Sequence, residues 1–264
     1  MKLIKASTEI ITPINGEEIL KQIELAARTC YKSEDKVGTF KICNGCKAYN
    51  SDGQMISVIE ECKYGKVFEH KFCTAQNEKV IGIVSHIDLV NRLIQNKHEA
   101  MLEFGGNITV KFICDRGVSH ELVRHRLASF AQESTRYCNY GKDEHISFII
   151  PSWMNWNEGE CTKATYSYIN VGHDGHNTWL NAMLDAEDRY NTLIKKGQSP
   201  QQARSVLPNS LKTEINVSAN IREWRHILKL RIANAAHPDM QYLMRPLLDE
   251  FKEQIPILFN DINY

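Results

Sequence analysis

Helices and strands interleaved along one chain are what this sequence predicts, and three observations carry that expectation. Apolar residues recur at helical spacing in several segments, most clearly in "NTWLNAMLDAEDRYNTLIKKG". Alternating stretches such as "NITVKFICDR" and "TEINVSA" fall between those helices. The length, 264 residues, suits one large domain or one domain carrying an insertion.

Residues 2–6 alternate weakly and read as an edge strand. In "GEEILKQIELAARTCY", Ile19, Ile23, Leu25 and Ala26 fall at helical spacing with acids early in the run, so 16–31 is expected as helix. The next stretch differs. "TFKICNGCKAYN" places Asn44-Gly45 between short runs, a hairpin signal, and further β-like segments follow. Residues 35–83 therefore read as a small β-rich insertion interrupting a single domain over 1–264. Helical pattern resumes at "SHIDLVNRLIQNKHE", where Ser85 and Asp88 form a variant capping box. Gly117 is expected to break the strand 107–116 before a short helix over 118–126. "HISFIIP" reads as a strand, and Gly197 stops the long amphipathic helix after it. Ser199-Pro200 opens a helix through Arg204. Asn220 caps "IREWRHILKLRIAN", and a last helix runs from His237-Pro238 to about Gln254.

Composition excludes several classes of function. Lysine plus arginine equals aspartate plus glutamate at 32 each, so no overall field draws nucleic acid or an anionic membrane. No apolar run reaches the ~20 residues of a membrane span, and the opening "MKLIKASTEIITPIN" has no signal-peptide core. Eight cysteines lack a paired framework, which fits a reducing, cytoplasmic setting. Anion recognition must then be local.

Two segments offer it. "RHRLASFAQESTRY" runs from Arg124 to Tyr137. Its first cations fall at a helix C-terminus, where dipole complementation alone accounts for them. Gln132, Ser134 and Arg136 alternate beyond it, and a shared direction would suit a phosphate. In the helix after Asn220, Arg222, Arg225, His226 and Lys229 share one sector of the wheel, as a solvated basic face does. Arg231 falls on the far side near Trp224, Ile227 and Leu228. A charge there needs a partner: a structural ion pair, or an anion in a pocket.

The sequence "RHR", seven residues, "S", then "TRY" resembles the signature of the flavin-dependent thymidylate synthases. "AARTCY", "HEAMLEF", "SHELVRHR", "ARSVLP" and "NIREWRHILKLR" resemble further segments of that family, together spanning most of 1–32 and 85–245. The resemblance implies an α/β fold with a central mixed β-sheet flanked by helices. It implies reductive methylation of dUMP to dTMP, with methylenetetrahydrofolate as carbon donor and FAD, reduced by NADPH, as hydride source. FAD would be bound by Arg124, His125, Arg126, Gln132, Asn220, Ile221, Arg222 and His226. For dUMP the matching residues are Glu121, Leu122, Val123, Arg124, Gln132, Glu133, Ser134, Thr135, Arg136, Arg204 and Arg231. Arg231 matches the arginine that polarises the uracil ring, which makes it the catalytic candidate, and His98 matches a histidine near flavin and folate. A homotetramer with shared sites is implied. Gln132 stands where many members have glutamate, Glu121 where others have glutamine, and Ala100 where a small hydroxyl residue is common.

The chemistry suits these residues. C5 of uracil is a poor nucleophile until electron density builds in the ring, and a fixed cation near N3 and O2 favours that. Ser134 has no activating base beside it in sequence, so a binding role is preferred to a nucleophilic one. Cys43, Cys46, Cys62 and Cys73 admit a structural zinc, but the Asn-Gly turn already explains the first pair and the plain hairpin is the reading taken; no metal is expected. A nucleic-acid-binding module using the same basic segments is the rival from another class, opposed by the neutral charge.

Overall fold

The computed structural model of the chain describes residues 1–38, 40–42, 48–50, 55–57, 72–75, 78–142, 145–162 and 174–264. Strands β1 (Lys2–Ile4) and β2 (Ser7–Ile10) open it. Helix α1 (Gly16–Tyr31) begins where the Asn15 side chain accepts from the Glu18 amide, and it ends at Lys32 with φ of 49°. Its buried stripe is Leu20, Ile23, Glu24, Ala27 and Arg28. Leu25, expected on that stripe, is exposed, because the step from Glu24 turns it about 100° away from the core.

Between α1 and the next helix lie β3 (Phe40–Ile42), β4 (Ala48–Asn50), β5 (Met55–Ser57), β6 (Phe72–Ala75) and β7 (Glu78–Val84). Their pairing is antiparallel, with β7 joined to β3, β4 and β6. The Asn44-Gly45 turn, Cys43, Cys46, Cys62 and the Cys73 side chain lie outside the described residues, and with them the zinc question.

Helix α2 (Ser85–Gln95) does not use the expected capping box. Ser85 is its first residue, and the buried hydroxyl has no hydrogen-bond partner among the described residues. A 3₁₀ segment over Glu99–Gly105 then leads into β8 (Asn107–Asp115). Helix α3 (Arg116–Leu122) starts two residues earlier than expected, with Gly117 inside its first turn. The reason is Asp115, whose carboxylate accepts from the Val118 amide at 2.8 Å and caps the helix directly at the strand's end. Arg124, His125 and Arg126 consequently sit past the helix rather than in its last turn.

Strands β9 (Ser129–Gln132), β10 (Ser147–Ile149) and β11 (Gly159–Glu160) follow, then α4 (Asp174–Lys195) and α5 (Pro200–Ala203). Gly197, at φ of 87°, terminates α4, and Ser199 with Gln202 forms a capping box at α5. The chain closes with β12 (Lys212–Asn220), α6 (Ile221–Arg231), α7 (Pro238–Gln254) and α8 (Pro256–Phe259).

The α/β expectation holds, with the strand pairings distributed over separate sheets. One sheet has the order β2-β8-β12-β9 and is antiparallel at every pairing. Parallel pairing occurs between β1 and β10 in the sheet ordered β10-β1-β11. β1 is thus a central strand and not the edge expected of it; its partners come from residues 147–160, too distant in sequence for local alternation to reveal. The first sheet is packed by α1, α2, α6, α7 and α8 around Phe112, Trp224, Phe251 and Phe259, and the second by α4 around Phe148, Leu180 and Tyr190.

The β8–β12 ladder sets a length. Lys212 pairs with Asp115 at one end and Asn220 with Asn107 at the other. Nine paired residues span about 30 Å. Helix α3 leaves one end of this ladder, capped by Asp115, and α6 leaves the opposite end, capped by Asn220. Their 7 and 11 residues are about 10 and 16 Å long, together nearly the ladder's length. Glu121 near the end of α3 and Arg231 at the end of α6 are in contact, so the C-terminal ends of the two helices meet, which is where the cations gather.

Candidate active site

Arg231, the last residue of α6, is the hub of that meeting point. Its Nη1 pairs with Glu121 Oε2 at 2.6 Å, Nη2 donates to the Glu121 carbonyl at 3.0 Å, and Nε donates to His125 Nε2 at 3.0 Å. Glu121 is the partner demanded on the apolar side of the wheel, and the Arg231 side chain remains 15% exposed. His125 is buried, and its Nδ1 lies 3.6 Å from the Glu223 carboxylate. Burial, then the neighbouring Arg231 and His226, push the imidazole down to about 4, so it is neutral at ordinary pH. The exposed His226 ring meets His125 edge-on with centroids 5.8 Å apart. Burial raises the Glu223 carboxyl, against the pull of His226 and Arg222.

Arg124 and Arg126 flank this cluster, both exposed and neither in an ion pair among the described residues. Leu122 is buried and Val123 is 37% exposed. The Asn220 side chain accepts from the Glu223 amide at 2.9 Å, and Arg222 pairs with Glu103 at 2.6 Å on the surface. Ile221 is fully buried in the core, which leaves only its backbone to face a ligand. His98 is exposed and 3.4 Å from the Tyr31 hydroxyl.

A second group forms around the turn after β9. Arg204 Nη1 donates to the buried Thr135 hydroxyl at 2.9 Å, and Arg136 Nε donates to Gln201 Oε1 at 3.1 Å. Glu133 is committed inside the protein, accepting from the Tyr140 hydroxyl at 2.6 Å and from Lys212 at 3.1 Å. Gln132 donates to the hydroxyls of Ser119 and Thr213. The expected alternation of Gln132, Ser134 and Arg136 does not occur: β9 ends at Gln132, and a turn holds the Arg136 amide 3.3 Å from Ser134 Oγ. Arg225 corrects another expectation. It is fully buried, pairing with Asp261 at 2.7 Å and Glu99 at 3.0 Å, and only Arg222, His226 and Lys229 of its wheel sector are exposed.

Sequence reasoning missed Glu223, which reads as an ordinary acid in a first helical turn, and it missed a cavity of about 550 Å³ beside Glu121. Asp115, Trp153, Trp179, His237 and Asp239 also line that cavity. Ligand-type atoms of His125, Glu223 and His226 lie within 4.8 Å of one another, but the adjacent Arg231 guanidinium opposes a second positive charge there. The two exposed arginines, Arg124 and Arg126, beside Arg231 favour an anion instead. Among the described residues, no helix is long and apolar enough to cross a membrane.

Known proteins share this arrangement of chain. The family described as thymidylate synthase complementing protein matches residues 14–257. A flavin-dependent thymidylate synthase of Corynebacterium aurimucosum is 31% identical over 175 residues, 66% of this chain and 69% of that one. The Corynebacterium efficiens enzyme of the same name is 32% identical over 176 residues, covering 65% and 68%. In fold, the chain is similar to the UMP/dUMP methylase PolB from Streptomyces cacaoi bound with 5-Br UMP, at a TM-score of 0.63 and 17% identity over 98% of this chain and 95% of that one. It is similar also to Thymidylate Synthase X from Helicobacter pylori with FAD and dUMP, at a TM-score of 0.57 and 21% identity over 98% of each. The chain belongs to the thymidylate synthase complementing protein family, that of the flavin-dependent thymidylate synthases its Arg-His-Arg segment resembles.

Proposed function

We propose that this protein methylates dUMP to dTMP as an FAD-dependent thymidylate synthase. When bound, FAD recharged by NADPH supplies the hydride and methylenetetrahydrofolate supplies the carbon. The observation that carries the reading is Arg231, held by three contacts where α3 and α6 meet and still 15% exposed.

The residues fit the groups they would hold. Arg124, Arg126 and Arg222 offer surface guanidinium groups suited to the flavin's diphosphate, with His125, His226 and the backbone of Asn220 and Ile221 beside them. Ser134, Arg136, Arg204 and the Thr135 hydroxyl would hold the phosphate of dUMP, with Gln132 and Glu133 shaping that turn and Glu121, Leu122, Val123 and Arg124 approaching from α3. Arg231 stays protonated, and its planar fork matches the N3–O2 edge of uracil, where negative charge develops as C5 turns nucleophilic. Ser134 Oγ accepts from the Arg136 amide, and among the described residues no base is hydrogen-bonded to it, which supports binding over covalent attack.

The family resemblance supports a homotetramer with shared sites, in which a site takes Arg231 from one copy and Arg204 from another. Neutral net charge supports an enzyme acting on a free nucleotide, without nucleic acid or membrane as partner, and cysteines without a paired framework support a cytoplasmic setting. The chain reads as one synthase-like domain with 35–83 inserted in it.

The test is purified protein, its flavin absorbance, and tritium release from dUMP labelled at C5, with methylenetetrahydrofolate and NADPH supplied. A yellow protein that releases tritium is expected. A colourless protein that cannot be loaded with FAD overturns the reading.

A further inference from the structure

The Nε of Arg231 can only donate, so His125 Nε2, 3.0 Å away, must accept. A neutral imidazole has one proton, and it then sits on Nδ1. Nδ1 faces Glu223 Oε1 at 3.6 Å, longer than a hydrogen bond, so the contact is that of an N–H dipole with a carboxylate. His125 is 5% exposed and Glu223 6%, and poor solvation strengthens such a contact. A carboxylate in the first turn of a helix ordinarily complements the dipole or reaches back to the cap. Here Asn220 supplies the cap, and the Glu223 carboxylate is buried beside His125 instead.

The opposite tautomer would turn Nε2–H toward Arg231 Nε–H, donor against donor. The guanidinium would then lose one of its three supports. The other charged groups about the ring are Arg231 and His226 on the same helix, and Glu121 of α3 reached through Arg231. Glu223 is the carboxylate that faces Nδ1 directly, and it adds to the Arg231 donation at Nε2 in favouring a proton on Nδ1.

We infer that Glu223 is a positioning residue for Arg231, acting through His125 by selecting the tautomer whose Nε2 accepts from the guanidinium. It belongs with none of the residues carried over from the family motif, and its effect on turnover rests on the dUMP-methylating role of Arg231.

The test reads the ring and the rate separately. Histidines of the full chain are labelled with nitrogen-15, and His125 is assigned from a His125→Gln sample. The wild-type ring is expected to carry its proton on Nδ1 at neutral pH, and Glu223→Ala to show a mixture containing the Nε2–H form. In the same variant kcat should fall about tenfold while KM for dUMP moves less than about twofold, with Glu223→Gln between. A wild-type proton on Nε2 overturns the inference without any variant. Unchanged ring shifts and kcat in folded Glu223→Ala overturn it as well. Because the ring is read with no substrate present, a chain with the expected tautomer and no tritium release would sink the proposed activity and leave the His125–Glu223 geometry standing.

Discussion

At position 231 a guanidinium meets a carboxylate, a carbonyl and an imidazole at once. Arg231→Ala frees a Glu121 carboxylate that is 37% exposed and can take up water, so the fold should tolerate it. The variant is expected to keep FAD and to lose methyl transfer by about a hundredfold or more, measured by tritium release. The neutral, buried His125 beside it makes a different prediction. Its imidazole takes a proton near 6.5 when unfolded and only at about 4 when folded. The unfolded chain thus binds more protons between those values, and stability is lost as pH falls through that window. Between about pH 7.5 and about pH 5 the wild type should lose about 2 kcal/mol more than a His125→Gln variant, in urea denaturation at both. Equal losses would show that His125 is not buried neutral.

Among the elements, α6 shows best how far local pattern reaches. Its cap at Asn220, its start and its odd Arg231 were legible because each depends on residues within a few positions. The fate of Arg225 was not. The wheel puts it with Arg222, His226 and Lys229, but the chain from Leu258 to Asp261 folds back over that part of the sector and encloses it. The same limit hid the central place of β1 and the burial of Glu223, both decided by segments far away in sequence. The strand's end at Gln132 defeated the alternation for a local reason instead, a turn with no glycine or proline to mark it. Arg225 also supports a prediction about how the C-terminal segment is held. Asp261→Ala removes its bidentate partner and leaves a fully buried cation with Glu99 as its remaining carboxylate. Because Asp261 is itself 41% exposed, the cost should be nearer about 2 kcal/mol than the value for a fully buried pair, read from denaturation midpoints.

For the whole molecule, the proposed sharing of sites between copies is the decisive trait. If a site takes Arg231 from one copy and Arg204 from another, then Arg231→Ala and Arg204→Ala, each nearly inactive, should complement when co-assembled. Random mixing restores about a quarter of the sites, and activity should recover to about that share. Failure to recover in mixed assemblies would place both arginines in one subunit's site. The ladder of β8 and β12 acts as a ruler for one half of this machinery, since α3 and α6 must together match it for Glu121 to touch Arg231. Adding a single residue to α6 would swing its tip by about 100° and carry the guanidinium off target. Chain can therefore be gained cheaply only outside the gauged span, and the β-rich stretch between α1 and α2, upstream of β8, occupies such permissive ground.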